Sequence, residues 1–340
     1  MPRRNKLEHL NKKSPMSYAQ YVKEIGRGMH GSRALPPEDA QQLYAAMLDG
    51  GVPDLELGAI LLAMRMKTES LNELLGFHQA LSERVARLRP PGGRARPVVV
   101  PTYNGARSQP NLMPLVVLLL QRLGIPVLVH GTLNGNGRVA SAYVFREFGV
   151  LPCATLTQAQ DALDGNGLAF VPTDLLSAGL ANLLALRQRL GVRNTAHTLA
   201  KIIDPFGGAG LRLVCMTHPD YLQKMRELFL ATGELALVMR GTEGEAYANP
   251  NKRPRMELYR DGAMQVLYEQ EHMTPQAQPP QDLEAKATAA WIRKALQGVV
   301  ALPVPIANQL ACCLYGSGYC ADFNQAKAVI AVELRNPLSA

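Results

Sequence analysis

The sequence lacks the features that a membrane or secreted protein needs. Its apolar run Leu112–Leu120 is too short to span a bilayer and is followed by Gln121 and Arg122. The first residues are basic and polar without an apolar segment, which excludes a signal peptide. The five cysteines form no CxxC pair, a pattern typical of reduced thiols. These absences predict a cytoplasmic protein that does not bind membranes.

Acidic residues are also scarce relative to basic ones: 28 Asp and Glu stand against 36 Lys and Arg, and the formal net charge is +8. Such an excess favours polyanionic partners, nucleic acids or phosphorylated ligands. The basic residues occur in clusters, which are Arg3, Arg4, Lys6, Lys12 and Lys13; Arg84, Arg87, Arg89, Arg94, Arg96 and Arg107; Arg187, Arg189, Arg193 and Lys201; and Lys252, Arg253 and Arg255. Each cluster alone is compatible with a solvated surface, whereas the whole set favours a polyanion.

The N-terminal quarter of the chain has a helical pattern. Residues 1–15 are predicted to be a disordered basic arm. Apolar residues at helical spacing then predict a helical domain over 16–90, with prolines and acids at two helix starts. The segment "RPPGGRARP" breaks this pattern and predicts a linker over 91–97.

Short apolar runs dominate the rest of the chain. Five of them, separated by helix-like segments, predict buried parallel strands: Val98–Val100, Val127–Val129, Leu168–Val171, Leu211–Met216 and Leu235–Met239. The expected fold is α/β, with a small all-helical domain and a large domain around a central, mainly parallel sheet. The large domain is assigned to 98–179 and 204–335, and the helical stretch 180–203 is expected to return to the first domain. A β-hairpin around Asp261-Gly262 and two helices over 285–297 and 305–316 complete the prediction.

The segment Val127–Gly149 is the most informative motif. A strand is followed by a Gly-rich loop and then by a helix-like segment from about Ser141. α/β proteins hold anions in this way, since backbone N–H groups and a helix N-terminus point at the ligand. The loop lacks the lysine and serines that a phosphate site normally uses. The motif therefore indicates a phosphate-handling fold from which binding groups have been lost.

Together with "GMHGSRALPPEDAQQLYAAMLDGGVPDLELGAILLAMRMK", these motifs resemble the anthranilate phosphoribosyltransferase family of glycosyltransferase family 3. The resemblance covers nearly everything from Tyr18 onward. It implies a helical domain, an α/β domain, an active site in the cleft between them, and a homodimer joined through the helical domain.

The family's pyrophosphate-binding turn, Gly-Thr-Gly-Gly-Asp, corresponds here to Pro101–Gly105. Thr102 agrees, whereas Tyr103 and Asn104 replace two glycines, so the backbone can approach a phosphate less closely. Asn111 is similar to an asparagine that follows the turn in the family. Tyr103 is expected to fill the space left by the ligand; stacking on a base is the alternative.

The other two substrate motifs have changed as well. The Lys-His-Gly-Asn-Arg motif corresponds to Val129–Leu133, where His130 and Gly131 remain and the lysine is lost. The magnesium-binding Asp-Glu pair corresponds to Gly244-Glu245, so one carboxylate is left. His130 is interpreted as a structural residue. The resemblance thus implies no catalytic residue, no metal and no cofactor, but a vestigial phosphoribosyl pyrophosphate pocket of Thr102, Asn104, Asn111, His130, Gly131 and Glu245.

Arg193 is similar to the family's acceptor-binding arginine. If the segment around it is a continuous helix, Arg193, His197 and Lys201 share one face at i, i+4 and i+8. Three potentially cationic groups in line suit a phosphate backbone better than a small aromatic acid.

The whole pattern is similar to diverged paralogues of the family, and this resemblance implies a protein that binds nucleic acids and lacks transferase activity. The first hypothesis is therefore a protein that binds DNA, single- or double-stranded, or RNA with little sequence specificity. The predicted contacts are Arg193, Lys201, Arg94, Arg96, Arg107, Lys252, Arg253 and Arg255. The alternative is an active phosphoribosyltransferase with a changed acceptor, which would use magnesium with phosphoribosyl pyrophosphate. A third reading, in which the basic runs only solubilise a protein-binding domain, ranks last.

Overall fold

A computed structural model describes residues 16–28, 30–93, 95–135, 137–272 and 279–333. The predicted basic arm 1–15 and Arg94 lie outside the described residues. The N-terminal part consists of four helices: α1 (Tyr18–Ile25), α2 (Pro37–Leu48), α3 (Asp54–Lys67) and α4 (Leu71–Ser82). No helix of the described part is long and apolar enough to cross a membrane.

Local sequence signals explain where these helices begin. Ser17 and Ser70 cap α1 and α4 with capping boxes, in which the serine and the residue at N3 satisfy each other's backbone N–H groups. α2 and α3 begin directly after Pro36 and Pro53 and carry acids in their first turns, which favour the positive helix end.

The central sheet has seven strands: β1 (Val98–Thr102), β2 (Val127–Gly131), β3 (Leu168–Pro172), β4 (Leu211–Met216), β5 (Ala236–Arg240), β7 (Met256–Arg260) and β8 (Ala263–Tyr268). Their order is β3-β2-β1-β4-β5-β7-β8, and the first five are parallel. β7 and β8 form the predicted antiparallel hairpin around Asp261-Gly262. Two short strands, β6 (Lys252–Arg253) and β9 (Glu271–His272), pair separately. The predicted fold class is confirmed.

The connecting helices are α5 (Met113–Arg122), α6 (Ser141–Arg146), α7 (Leu156–Asn166), α8 (Thr173–Leu176), α9 (Ala178–Ala185), α10 (Arg187–Leu190), α11 (Ala196–Leu199), which continues as a 3-10 turn over Ala200–Ile202, and α12 (Pro219–Thr232). The chain closes with α13 (Ala285–Leu296), α14 (Val304–Gly316) and α15 (Phe323–Glu333). α13 and α14 match the two predicted helices. α15 was missed, since it buries only Ala326 and Ile330 and has a weak apolar pattern.

α9 packs on the end of α2. A Cβ at Gly179 would lie 2.1 Å from the Leu48 carbonyl oxygen, so the two backbones are in direct contact. Asp54, at the start of α3, pairs with Arg189 of α10 at 3.3 Å. The segment after β3 therefore lies against the N-terminal helices.

Two hydrophobic clusters cover the two faces of the sheet. Val98 and Val100 of β1 point into one cluster, and Val99 points into the other, as strand alternation requires. The cluster around Val99 also contains Leu43 of α2, Ile60 of α3 and Phe77 of α4. One core thus joins the helical part to the sheet, and it fixes the helices beside the carboxyl ends of the parallel strands.

Candidate functional site

The candidate site lies at the carboxyl edge of the sheet, where β1 is flanked by β2 on one side and β4 on the other. The strands that follow β1 in the chain are added on one side as β2 and β3 and on the other side as β4 and β5. β1 therefore marks the topological switch point, where open α/β sheets bind ligands. The loops after β1, β4 and β5 meet there. We describe first the turn after β1 and then the cleft above it.

Glu245, from the loop after β5, occupies the turn after β1. Its Oε1 accepts backbone N–H bonds from Asn104 at 2.8 Å and Gly105 at 2.9 Å. The Thr102 hydroxyl donates to its Oε2 at 2.7 Å, and the Ser141 hydroxyl lies 3.1 Å from the same oxygen. Asn111 in turn donates to Ser141 Oγ at 3.0 Å. A carboxylate of the chain itself therefore satisfies the donors of a phosphate-type turn.

Glu243, also from the loop after β5, binds the next stretch of the loop after β1. Its carboxylate accepts backbone N–H bonds from Arg107, Ser108 and Gln109, the latter two at 2.8 Å. Glu243 has a positive φ of 52°, which is uncommon for a side-chain-bearing residue. The three bonds to the loop hold it in this conformation. Two carboxylates from one tight turn thus occupy five backbone donors of the loop after β1.

Gly244 and Asn104 are matched to each other. Gly244 has a φ of 87°, and a Cβ there would lie 1.7 Å from Asn104 Nδ2. The Asn104 amide donates to the Glu243 carbonyl oxygen at 2.8 Å. The amide therefore fills the space where a side chain at 244 would begin, and an aspartate at 244 does not fit beside Asn104.

Lys201 lies under this turn. Its Nζ donates to the carbonyl oxygens of Gly244 at 2.7 Å and Cys215 at 3.0 Å, and the residue is only 6% exposed. Burial lowers the pKa of Lys201 to about 8, against an opposing effect of Glu245. Lys201 therefore ties the loop after β5 to β4 and adds positive charge beneath the cleft.

His130 and Tyr103 form a buried pair beside the turn. The Tyr103 hydroxyl is hydrogen-bonded to His130 Nδ1 at 2.8 Å, and Thr173 donates to the Tyr103 oxygen at 3.3 Å. Burial lowers the pKa of His130 to about 3, so the imidazole is neutral. These contacts agree with the structural role expected for His130 and with the expected burial of Tyr103.

A cleft of about 420 Å³ opens above the turn. Four arginines line it: Arg65 at the end of α3, Arg107 in the loop after β1, Arg138 in the Gly-rich loop and Arg193 after α10. Arg65 donates to the Tyr221 hydroxyl at 3.1 Å, and Arg107 pairs weakly with Glu243 at 3.9 Å. Within the described residues Arg138 and Arg193 form no ion pair, and neither does nearby Arg187.

The arginines of the cleft repel one another. Burial, together with the charges of Arg187, Arg138 and Arg65, lowers the pKa of Arg193 to about 10, against an opposing effect of Glu245. The same neighbourhood lowers the pKa of His197 to about 3, first through burial and then through Arg193 and Arg187. Such accumulated positive charge with few counter-charges is the electrostatic signature of an anion site.

The prediction that Arg193, His197 and Lys201 share one face of a continuous helix is wrong. Gly191 has a φ of 72° and ends α10, and α11 begins only at Ala196, so Arg193 lies in a loop. All three side chains nevertheless line the cleft. His197 is neutral there, and Lys201 is buried rather than on an exposed face.

Four other predicted nucleic-acid contacts, Arg96, Lys252, Arg253 and Arg255, do not line the cleft. Arg96 is exposed and precedes β1, at the opposite edge of the sheet, where its N–H donates to Ser317. Arg253 pairs with Glu271, and Arg255 pairs with Glu257 at 2.6 Å and with Glu269 at 3.0 Å. Lys252 is half-buried in β6. The structure therefore does not bring these basic residues together with Arg193, because sheet topology separates Arg96 and acids pair with Arg253 and Arg255.

Sequence reasoning missed several residues of the site. Arg65, Arg138 and Ser141 were not singled out as contacts, and Glu243 was regarded as an ordinary loop carboxylate. The only sequence signals were the position of Arg138 inside the Gly-rich loop and of Ser141 at the helix start behind it. Nothing near Arg65 indicates that α3 ends at the cleft.

The described residues do not fit a magnesium ion at the position of the family's Asp-Glu pair. Gly244 offers no carboxylate, and both oxygens of Glu245 are engaged by protein donors. No group of three or more His, Cys, Asp or Glu among the described residues is arranged to hold a metal.

Comparison with known sequences places the chain among phosphoribosyltransferase relatives. Residues 19–85 match the glycosyl transferase family, helical bundle domain. The chain is 43% identical to YbiB of Escherichia coli K12 over 92% of its length and 98% of the length of YbiB. It is 24% identical to the anthranilate phosphoribosyltransferase of Persephonella marina over 66% of its own length and 65% of that enzyme.

Solved structures show the same fold. Anthranilate phosphoribosyltransferase from Thermus thermophilus superimposes with a TM-score of 0.74 at 22% identity, covering 93% of this chain and 95% of that one. The enzyme from Saccharomyces cerevisiae, in complex with PRPP and Mg, gives 0.66 at 12% identity and covers 94% of both chains. The predicted architecture is thus found in solved structures along nearly the whole chain.

Proposed function

Because this chain belongs to the YbiB family, a diverged branch of the anthranilate phosphoribosyltransferase-like proteins, we propose that it is a nucleic-acid-binding protein on a phosphoribosyltransferase fold that no longer catalyses transfer. One observation carries the proposal: carboxylates fill the turn after β1, while Arg138 and Arg193, which pair with no acid of the described residues, line the cleft above it.

The charge of the cleft suits a phosphate backbone. Four arginines face one acid, Glu243, whose carboxylate is held by the loop after β1. Arg138 and Arg193 have all their guanidinium donors available to a ligand, and guanidinium groups match phosphate oxygens in a bidentate manner. Contacts to phosphates carry no sequence information, which supports binding with little sequence preference.

The state of the turn supports the loss of transferase activity. Magnesium is usually held by one or two carboxylates together with substrate phosphates. Here Gly244 provides none, and Glu245 is consumed by the donors that would otherwise hold the pyrophosphate. The alternative of an active transferase with a changed acceptor therefore has no specific contact in its favour.

The outer surface of α3 supports a homodimer through the helical domain. Leu55, Leu62 and Met66 are 82%, 50% and 78% exposed and recur at helical spacing along one face. An exposed apolar stripe is typical of a protein interface. A two-fold axis there would present the cleft twice to a single nucleic acid.

The five cysteines are unpaired, which supports the proposed cytoplasmic location.

Fluorescence anisotropy with a labelled oligonucleotide tests the proposal. For single strands the logarithm of the binding constant should fall linearly with the logarithm of salt, with a slope of about −0.7 per phosphate contact. The variant Arg138→Ala/Arg193→Ala should reduce this slope by about two such contacts and weaken binding roughly tenfold or more. The matched control is Arg253→Ala/Arg255→Ala, which removes arginines already paired with acids and should leave the slope nearly unchanged.

Binding that does not depend on salt, or an equal loss in both double variants, would contradict the proposal. Calorimetry with phosphoribosyl pyrophosphate, with and without magnesium, examines the alternative function. Metal-dependent binding of that compound would favour a transferase, whereas the filled turn predicts none.

A further inference from the structure

A second pocket, of about 300 Å³, adjoins the cationic cleft. Its walls are mostly apolar and come from Tyr103, Pro172, Ala181, Leu184 and Ala185. The two cavities share His197 as a lining residue and are therefore adjacent. We call this the side pocket.

The cleft continues on its other side into a third concavity, which shares Arg107 and Arg138 with it and is also lined by Tyr143. Asp282 and Glu284 also line this third concavity, so the cationic surface is confined to the cleft and to its edge at Arg107 and Arg138.

The size of the side pocket limits which part of a nucleic acid it can hold. Its volume lies at the lower end of the range of about 300–1,000 Å³ found for small-molecule sites. A double helix cannot enter, but one planar ring can. Apolar walls of this kind favour contact with the flat face of a ring, whereas the charged part of the same ligand would lie in the cleft.

We propose that the side pocket takes an unpaired nucleobase of the strand whose phosphates contact the arginines of the cleft. This inference rests on the proposed function. Single-strand binders commonly combine a cationic groove with apolar or aromatic surfaces for the bases, and bases taken out of the stack enter comparable pockets.

The polar groups at the rim explain why no single base would be selected. Gln188 offers a donor and an acceptor, Asp174 offers acceptors, and Arg187 offers donors. Any of the four bases finds some partner in such a set. The pocket therefore selects for an unpaired base rather than for its identity, and single strands should bind more tightly than duplexes.

An abasic oligonucleotide tests this inference, because it keeps every phosphate and lacks the bases. The unmodified protein should bind an ordinary single strand about tenfold more tightly than the abasic strand, as expected for one buried base. In Ala185→Trp the indole fills the side pocket, and this difference should disappear while the salt slope stays. The matched control is Asn182→Trp, an equally exposed position of the same helix α9 that does not line the side pocket, which should behave like the unmodified protein.

Equal affinity of the unmodified protein for the two strands would overturn the inference, and so would an undiminished difference in a folded Ala185→Trp variant. Failure of the proposed function is a separate result, in which neither strand shows salt-dependent binding. The comparison of strands on the unmodified protein needs no variant and stands even if Ala185→Trp does not fold.

Discussion

Two sets of anion-binding groups lie at the same edge of the sheet and differ in what occupies them. In the turn after β1 the donors are backbone N–H groups, and Glu245 and Glu243 accept from all five of them. In the cleft above, the donors are arginine side chains, and Arg138 and Arg193 have no acidic partner among the described residues.

For Asn104 and Gly105 the difference follows from burial. A buried backbone N–H without an acceptor costs roughly 1–3 kcal/mol, so these two donors need a permanent internal acceptor. Arg138 and Arg193 are only half-buried, and water can solvate their guanidinium groups when no ligand is present. The buried donors are therefore filled by the protein, whereas the half-buried arginines can bind an anion.

The largest effect should come from emptying the turn. Glu245→Ala leaves two backbone N–H groups and the Thr102 hydroxyl without their acceptor, so we expect the free energy of unfolding to fall by roughly 3–5 kcal/mol. Urea denaturation measures this. The control is Glu269→Ala, which removes an exposed partner of Arg255 and should cost less than about 1 kcal/mol. Equal losses in the two variants would show that Glu245 is not an internal ligand.

The next effect concerns the match between Gly244 and Asn104. Gly244→Asp should lower the free energy of unfolding by roughly 2–3 kcal/mol, because the new Cβ meets the Asn104 amide at a positive φ. Adding Asn104→Gly should recover about 1–2 kcal/mol of this, measured as the coupling in a double-mutant cycle.

Gly149→Asp provides the control for backbone strain in that cycle. Gly149 has a φ of 74° and nothing within 4 Å of its missing Cβ, so only the strained backbone contributes there. Additive effects of the Asn104 and Gly244 substitutions would contradict the match between these two residues.

The smallest effect tests the charge beneath the cleft. The pKa of Lys201 is lowered to about 8, so its amine is charged below that pH and neutral above it. Affinity for nucleic acid should therefore fall as pH rises through about 8, by at most about fivefold, since the amine lies under the surface and the arginines keep their charge. Anisotropy titrations on both sides of this pH measure the change. In Lys201→Met, checked for folding by circular dichroism, the affinity should no longer vary over this range; a retained pH dependence would assign it to another group.

The sequence predicted the sheet well because its signals are local. Continuous apolar runs marked all five parallel strands, and Asp261-Gly262 marked the hairpin, since both turn residues adopt a positive φ. The altered turn at Thr102–Asn104 and the lone Glu245 could be located from the resemblance, because each lies in a recognisable motif.

The contacts within the site could not be predicted in the same way. Glu245 meets Asn104 across 141 residues of sequence, and Arg65 reaches the cleft from a different part of the fold. The wrong helix face around Arg193 has a local cause: helical spacing was counted from Arg193, whereas the helix begins only at Ala196. The pairing of Arg253 and Arg255 depends on Glu257, Glu269 and Glu271, which belong to the facing strands and their ends. Charge counts along a sequence do not include such partners.

The close fit between Asn104 and Gly244 has a consequence for how this lineage can change. An aspartate restored at 244 alone would collide with Asn104, and a glycine restored at 104 alone would leave the Glu243 carbonyl without its amide donor. Each single exchange is therefore expected to lower stability, whereas a simultaneous exchange of both residues removes the clash. The residue at 104 thus constrains which residues position 244 can accept.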